Sequence, residues 1–249
     1  MESTPIDQTA RKWRAERWLG LACLVLAFSG AANATPLNVS LGFASLPSAQ
    51  GWTYNAVSSG RSESQVFSVD GTTLFQDSIT GQTAIASGQG GNWYERDNNS
   101  FDHNIAWVVE LTAKVTADDI ASFNYGFYTS IHIDGHRWSF GLSTTKVQFD
   151  DVGTPVAITG NVFHDYRLEG DPVANTWRFL VDGSLFANGT LAAAGDNLLA
   201  LGDGTNGANE RAQVTFYHAY QVTVPEPASL GALGLGALAF IYGRKRRAR

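Results

Sequence analysis

From Trp107 to Val115 the odd-numbered residues are all apolar (Trp107, Val109, Leu111, Ala113, Val115), while Glu110, Thr112 and Lys114 take the other side. A period of 2 marks a strand with one face turned to a core. The same alternation sets Trp138, Phe140 and Leu142 against Arg137, Ser139 and Gly141, and Trp177, Phe179 and Val181 against Arg178, Leu180 and Asp182. Near the end, Val214, Phe216, His218, Tyr220 and Val222 alternate with Gln213, Thr215, Tyr217, Ala219 and Gln221. Between these runs stand Asp70-Gly71, Asp134-Gly135, Asp182-Gly183 and Asn188-Gly189, dipeptides that favour tight hairpins. Only Ala117–Phe123 reads as a helical turn, behind a Thr116 cap. Trp93–Asn104 lacks alternation and reads as a long loop. Short strands with turn signals about every ten residues predict an all-β fold, an antiparallel β-sandwich or jelly roll. No repeat of about 20–50 residues is present, which argues against a propeller or solenoid.

The two ends follow another pattern. Arg11, Lys12, Arg14 and Arg17 precede an apolar run from Leu19 to Phe28, and small residues ending in Ala32-Asn33-Ala34 come next. A positive start, a short apolar stretch and an A-x-A site predict a signal peptide over 1–34, cut by signal peptidase after Ala34. Ten residues reach only about 15 Å as a helix, half of a ~30 Å hydrocarbon core. At the other end, Pro225-Glu226-Pro227 precedes the apolar stretch Ala228–Tyr242, which is followed by Arg244, Lys245, Arg246, Arg247 and Arg249. The prolines interrupt whatever comes before them. The apolar stretch predicts a short transmembrane helix of about 22 Å, held with its basic end in the cytoplasm. Residues 35–223 are then the exported domain.

Charge and cysteine content narrow the functions open to that domain. The chain has 249 residues and a net charge of −6. Removing both ends leaves eight basic residues against 19 acidic ones, a balance of −11. That excess disfavours nucleic-acid backbones and anionic lipid as partners. The sole cysteine, Cys23, lies in the leader, so the domain has neither disulfides nor a cysteine-built metal site or nucleophile.

The ordered tail over Val224–Arg249, proline-bounded Glu226, glycine-rich apolar helix and arginine cluster, resembles the PEP-CTERM protein-sorting signal. The resemblance implies recognition by exosortase, a membrane protease-transpeptidase of Gram-negative bacteria that make exopolysaccharide. It also implies a membrane-anchored intermediate followed by delivery to the cell surface. Within the domain, Trp107–Glu110, Asp134–Leu142, Lys146–Phe149, His164–Leu168, Trp177–Gly183 and Val214–Val222 resemble, in their order, the concanavalin A-like lectin/glucanase superfamily with its laminin-G-like members. That resemblance implies a jelly roll that binds glycans, cleaves them or packs against partners; fold does not choose among these.

Candidate chemistry is sparse. Glycan cleavage needs two carboxylates flanking the scissile bond. The glucanase pattern Glu-x-Asp-x-x-Glu is absent, with Glu110 followed only by Thr112 on its face. His132-x-Asp134-x-His136 has alternate spacing suited to zinc, but the hairpin at Asp134-Gly135 turns His136 away. Calcium is the only cofactor suggested, at the oxygen-rich segment holding Asp203, Asn206, Asn209 and Glu210. Trp93, Tyr94, Glu95 and Asn98 form the densest mixture of aromatic, acid and amide groups, the chemistry that seats a sugar ring and its hydroxyls. The expected function is a non-catalytic, carbohydrate-binding surface protein of the exopolysaccharide or biofilm layer. The alternatives are a glucanase-type enzyme and an inert structural cargo.

Overall fold

The computed structural model describes residues 38–56, 60–81, 91–97, 102, 104–120, 126–133, 135–149, 155–190, 192–193, 196–204 and 208–222. The chain divides into two compact units, 1–35 and 36–249, and all described residues lie in the second. The described residues end at 222, so the leader and the tail both lie outside them, with Ala32, Ala34, Pro225, Glu226, Pro227 and the basic cluster. Among the described residues no helix is long and apolar enough to cross a membrane.

The strands in chain order are β1 (Asn38–Ser40), β2 (Thr53–Ala56), β3 (Phe67–Val69), β4 (Leu74–Asp77), β5 (Asn92–Asp97) and β6 (Trp107–Ile120). They continue as β7 (Phe127–Ile133), β8 (His136–Leu142), β9 (Lys146–Phe149), β10 (Val156–Ala157) and β11 (His164–Asp171). The last are β12 (Thr176–Val181), β13 (Ser184–Thr190), β14 (Ala192–Ala193), β15 (Leu198–Asp203) and β16 (Ala208–Gln221). Among the described residues all pairings are antiparallel and make two eight-stranded sheets. The first sheet runs β13-β12-β11-β6-β16-β4-β3, with β1 on β16; the second runs β10-β9-β8-β7-β15-β5-β2, with β14 on β8. This is the predicted jelly-roll sandwich.

The core lies between the sheets. Trp107, Leu111, Tyr166 and Phe179 of the first sheet meet Trp138, Phe140, Ile131 and Leu199 of the second. Trp107 and Trp138 pack edge to face at 4.7 Å, and Phe140 lies 4.6 Å from Phe179. Each ring buries about 150–250 Å², so these pairs dominate cohesion between the sheets. Opposite Trp107 on β11 stands Gly170, where a Cβ would come within 2.0 Å of the indole.

Two local readings are corrected. Of the helical turn expected at Ala117–Phe123, residues 117–120 instead continue β6, paired with Ala208–Arg211 of β16, and 121–123 lie outside the described residues. Among the described residues an α-helix forms at Glu63–Val66 (α1), capped by Ser62 with Gln65 reaching back, a Ser-x-x-Gln box visible in the sequence. Asn188-Gly189 is not a turn but part of β13, and Gly189 lies under the Trp177 ring. Asp182-Gly183 behaves as expected: Asp182 (φ 50°) and Gly183 (φ 76°) both take left-handed backbone, the pairing that a tight type I′ hairpin requires.

One irregularity re-aims a whole strand. Between Val214 and Phe216 the β16–β6 register slips by one, leaving Thr215 as the extra residue of a bulge. Val214 stays in the core at 1% exposure, but from there on Tyr217 and Ala219 point inward while Phe216, His218 and Tyr220 point out. The uninterrupted alternation would have placed Phe216 beside Val214; the bulge puts it in solvent at 44% exposure.

Candidate functional site

The loop expected over Trp93–Asn104 begins as β5, and its strand geometry separates the candidate residues. Tyr94 is fully buried: its ring lies 4.6 Å from Phe67 and its hydroxyl donates to Glu63 Oε1 at 2.8 Å. Burial, and the nearby Glu63, hold the Tyr94 phenol well above its ordinary pKa. It therefore presents no face to a sugar and belongs to the core. Its neighbours Trp93 and Glu95 take the opposite side, half-buried, with the Trp93 indole N–H donating to Glu95 Oε1 at 2.7 Å. That bond fixes the indole across the outward face of the second sheet. Asn98 lies outside the described residues.

Register assigns the rest of this face. Trp93 stands beside Asn55 on β2 and Gly202 on β15, and beyond them come Tyr128, Gly141 and Gln148. The next row is Thr53, Glu95, Ala200, Ser130 and Ser139; the third is Asp97, Leu198, His132 and Arg137. The floor is built from small side chains. Although it faces away from the core, it is sheltered: Ser130 is 2% exposed and Gln148 7%. Asn55 Nδ2, Ser130 Oγ and Gln148 Oε1 are buried without a hydrogen-bond partner. Buried polar groups are normally paired, since leaving one unsatisfied costs about 1–3 kcal/mol. Three on one outward sheet face beside an indole and a carboxylate suit a ligand rich in hydroxyls.

The histidine pair does not converge. Ile133 stands opposite His136 and His132 opposite Arg137 across the β7–β8 hairpin. Ile133 is a core residue, so His136 shares its inward side, 6.0 Å from Trp138, while His132 faces out. Burial, with the Arg137 charge beside it, lowers the His132 pKa to about 4, so its ring is neutral at physiological pH.

At the calcium candidate, Asp203 ends β15, and Asn209 and Glu210 open β16; all three are buried, with Glu210 at 0% exposure, and Asn206 lies outside the described residues. Burial, reinforced by the charges of Asp203 and Asp118, pushes the Glu210 pKa well up. Among the described residues no group of three His, Cys, Asp or Glu is placed to hold a metal ion.

Glu110 belongs to the outward face of the first sheet. Arg167 Nη1 donates to its carboxylate, and Arg167 Nε donates to Glu169 Oε1 at 2.7 Å. Arg178 approaches Glu169 at 3.5 Å, and Tyr220 accepts from Arg167 at 3.0 Å. Thus Glu110 is tied into a cross-strand ladder that no spacing within one strand reveals.

Comparison with known proteins adds two findings. Residues 223–247 match the PEP-CTERM protein-sorting motif, so the tail carries a sorting signal. In structure the chain is similar to a sialidase with TM-score 0.51 and 8% identity, over 76% of this chain and 18% of the sialidase chain. It is also similar to a prokaryotic β-1,3-1,4-glucanase (lichenase) from a mouse hindgut metagenome, with TM-score 0.47 and 15% identity over 75% and 99% of the two chains. A Bacillus licheniformis β-glucanase aligns with TM-score 0.48 and 16% identity, over 75% and 98%. No curated protein sequence matches.

Proposed function

We propose that this chain is an exosortase-sorted surface protein whose sandwich binds glycan without cleaving it, within an exopolysaccharide layer. The carrying observation is the outward face of the second sheet: an indole anchored to Glu95, with Asn55, Ser130 and Gln148 presenting buried, unmatched polar atoms. An aromatic face covers the C–H side of a pyranose, and fixed amide, hydroxyl and carboxylate groups read its hydroxyls. The sorting motif supports delivery to the place where such a ligand lies, and the tail is the part that exosortase would process. Deleting residues 224–249 is expected to abolish surface delivery, measured by fractionation and immunoblot; unchanged surface display would overturn the sorting assignment.

Binding is tested with Trp93→Ala in the full-length chain, read by titration calorimetry against neutral hexose oligosaccharides. Loss of the indole platform is expected to weaken binding on the order of tenfold or more, since truncating a central aromatic anchor costs about 2 kcal/mol or more. Wild-type affinity in that variant rules out this face.

Cleavage is a second reading, and one observation favours it. Glu95 and Asp97 project from the same side of β5, about 6.6 Å apart along the strand. Against it, the outward residues facing them across β7 and β8 are Tyr128, Ser130, His132, Arg137, Ser139 and Gly141, without a carboxylate. A flanking acid–base pair is what glycosidic cleavage requires. Release of reducing ends by the wild type, lost in Glu95→Gln, would establish the enzyme reading.

A further inference from the structure

The Thr215 bulge creates a second constellation on the opposite side of the sandwich. It turns Phe216, His218 and Tyr220 of β16 outward in a row. His218 stacks on Tyr220 at 4.5 Å, and Phe216 stands edge-on to His218 at 6.3 Å. Next to Phe216 opens a cavity of about 330 Å³ lined by Glu110, Thr112, Asp165, Arg167, Gly183 and Phe216. Ligand pockets begin at about 300 Å³, so this one has room for a single sugar ring.

Its walls are fixed by their own bonds. Thr112 Oγ1 donates to Asp165 Oδ1 at 2.7 Å, and Arg167 is held by Glu110, Glu169 and Tyr220. The β12–β13 hairpin carrying Gly183 is pinned back at Asp182. There Oδ2 meets His164 Nδ1 at 2.7 Å and Oδ1 accepts from the Asp165 amide at 3.0 Å. The His164 bond, then the Asp165 amide, keep the Asp182 carboxyl below its usual range. Gly183 has open space where a side chain would stand, which leaves the rim clear. β-Bulges recur where a strand must re-aim a side chain beside a functional site.

We infer that this cavity is a second glycan site, on the face opposite Trp93, taking one neutral pyranose residue with Phe216 against its apolar side. The inference rests on the glycan-binding reading above for the ligand class and on its own residues for the place. The charges select the ligand: two carboxylates, Glu110 and Asp165, line the cavity, and its one cation is already engaged on three sides. A uronate or sulfated sugar would meet net negative charge; a neutral hexose meets fixed hydroxyl, carboxylate and guanidinium partners. Two sites on opposite faces make the domain a cross-linker of glycan chains.

The test titrates the full-length chain, in mild detergent, with gluco-, manno- and galacto-configured hexose oligosaccharides and with an alginate oligomer. The proteins compared are wild type, Phe216→Ala, Trp93→Ala and the double variant. Phe216 is exposed, so its truncation leaves the core intact, and circular dichroism verifies this. Two sites are expected in the wild type, with Phe216→Ala losing one, Trp93→Ala losing the other and the double variant binding nothing. Phe216→Ala with both sites intact overturns this inference and leaves the Trp93 face standing. If Trp93→Ala is silent and Phe216→Ala abolishes binding, the first reading falls and this one stands. Binding of alginate alone, or of no oligosaccharide, overturns both.

Discussion

Replacing Trp107 with alanine is expected to remove about 3–5 kcal/mol of stability, the range for deleting a large buried aromatic side chain. That is a large share of the ~5–15 kcal/mol by which a domain is stable. The expectation follows from position. Trp107 is 0% exposed, opens the long β6, packs edge to face on Trp138 of the other sheet, and roofs Gly170 on its own sheet. A cavity there separates the sheets and cannot collapse, because Gly170 has no side chain to fill it. Gly170→Ala probes the same contact from below: with its Cβ 2.0 Å from the indole, overpacking is expected to cost about 1–3 kcal/mol. Trp107→Phe is milder on a further ground, since the Trp107 indole N–H is buried without a partner and phenylalanine dispenses with it. Urea unfolding followed by circular dichroism checks the series. A Trp107→Ala loss below about 1 kcal/mol would show that the inter-sheet packing described above does not carry the fold.

These core positions were legible in the sequence because their evidence is periodic. Trp107, Leu111, Trp138, Phe140 and Phe179 fall at every second position of their runs, and each points inward as that alternation requires. Where one residue breaks the period, the pattern misleads. Thr215 is one inserted residue, yet it exchanges the inner and outer roles of everything after it on β16, and nothing in Val214–Val222 marks where the slip falls. Trp93-Tyr94-Glu95 failed as a strand signal for a related reason. Its inward residue is a tyrosine whose hydroxyl needs Glu63, 31 positions away, and its outward residue is a tryptophan, so polarity does not alternate. The Ser62 capping box, by contrast, is a local signal, whereas Thr116 mimics a cap ahead of residues that continue β6. Candidate sites were less legible still, because they form across strands. Asn55, Ser130 and Gln148 share a face with Trp93 only through five separate strand pairings, and Glu110 meets Arg167 over 57 residues of chain. Sequence spacing records neighbours along one strand; a sheet face is read across several.

Two buried titratable groups make stability depend on pH in opposite senses, and the largest effect is assigned to His132. Its ring, buried beside Arg137 and only partly compensated by Asp196, titrates at about 4 in the folded protein, against 6.5 when unfolded. Between these values the unfolded chain binds the extra proton, so stability is fully present above about 6.5 and is lost as pH falls toward 4. At about 1.4 kcal/mol per unit, the loss comes to about 3 kcal/mol. Glu210 works the other way. Its pKa is raised above 4.5, by burial first and then by Asp203 and Asp118, while the Gly126 and Phe127 amides oppose the shift. The folded state keeps a proton that the unfolded chain releases, so this contribution is present below about 4.5 and declines as pH rises. Urea unfolding at pH 4.0, 5.5 and 7.0 separates the two, because each variant is compared with wild type at the same pH and every other group cancels. His132→Gln is expected to lose the rise in stability that wild type shows between pH 4 and 6.5. Glu210→Gln, which keeps the shape of the side chain and removes its charge, is expected to gain on wild type by an amount that grows with pH. A His132→Gln profile parallel to wild type would show that His132 is not held neutral against this face. A Glu210→Gln difference independent of pH would place that carboxyl in contact with water, and the buried start of β16 would have to be redrawn.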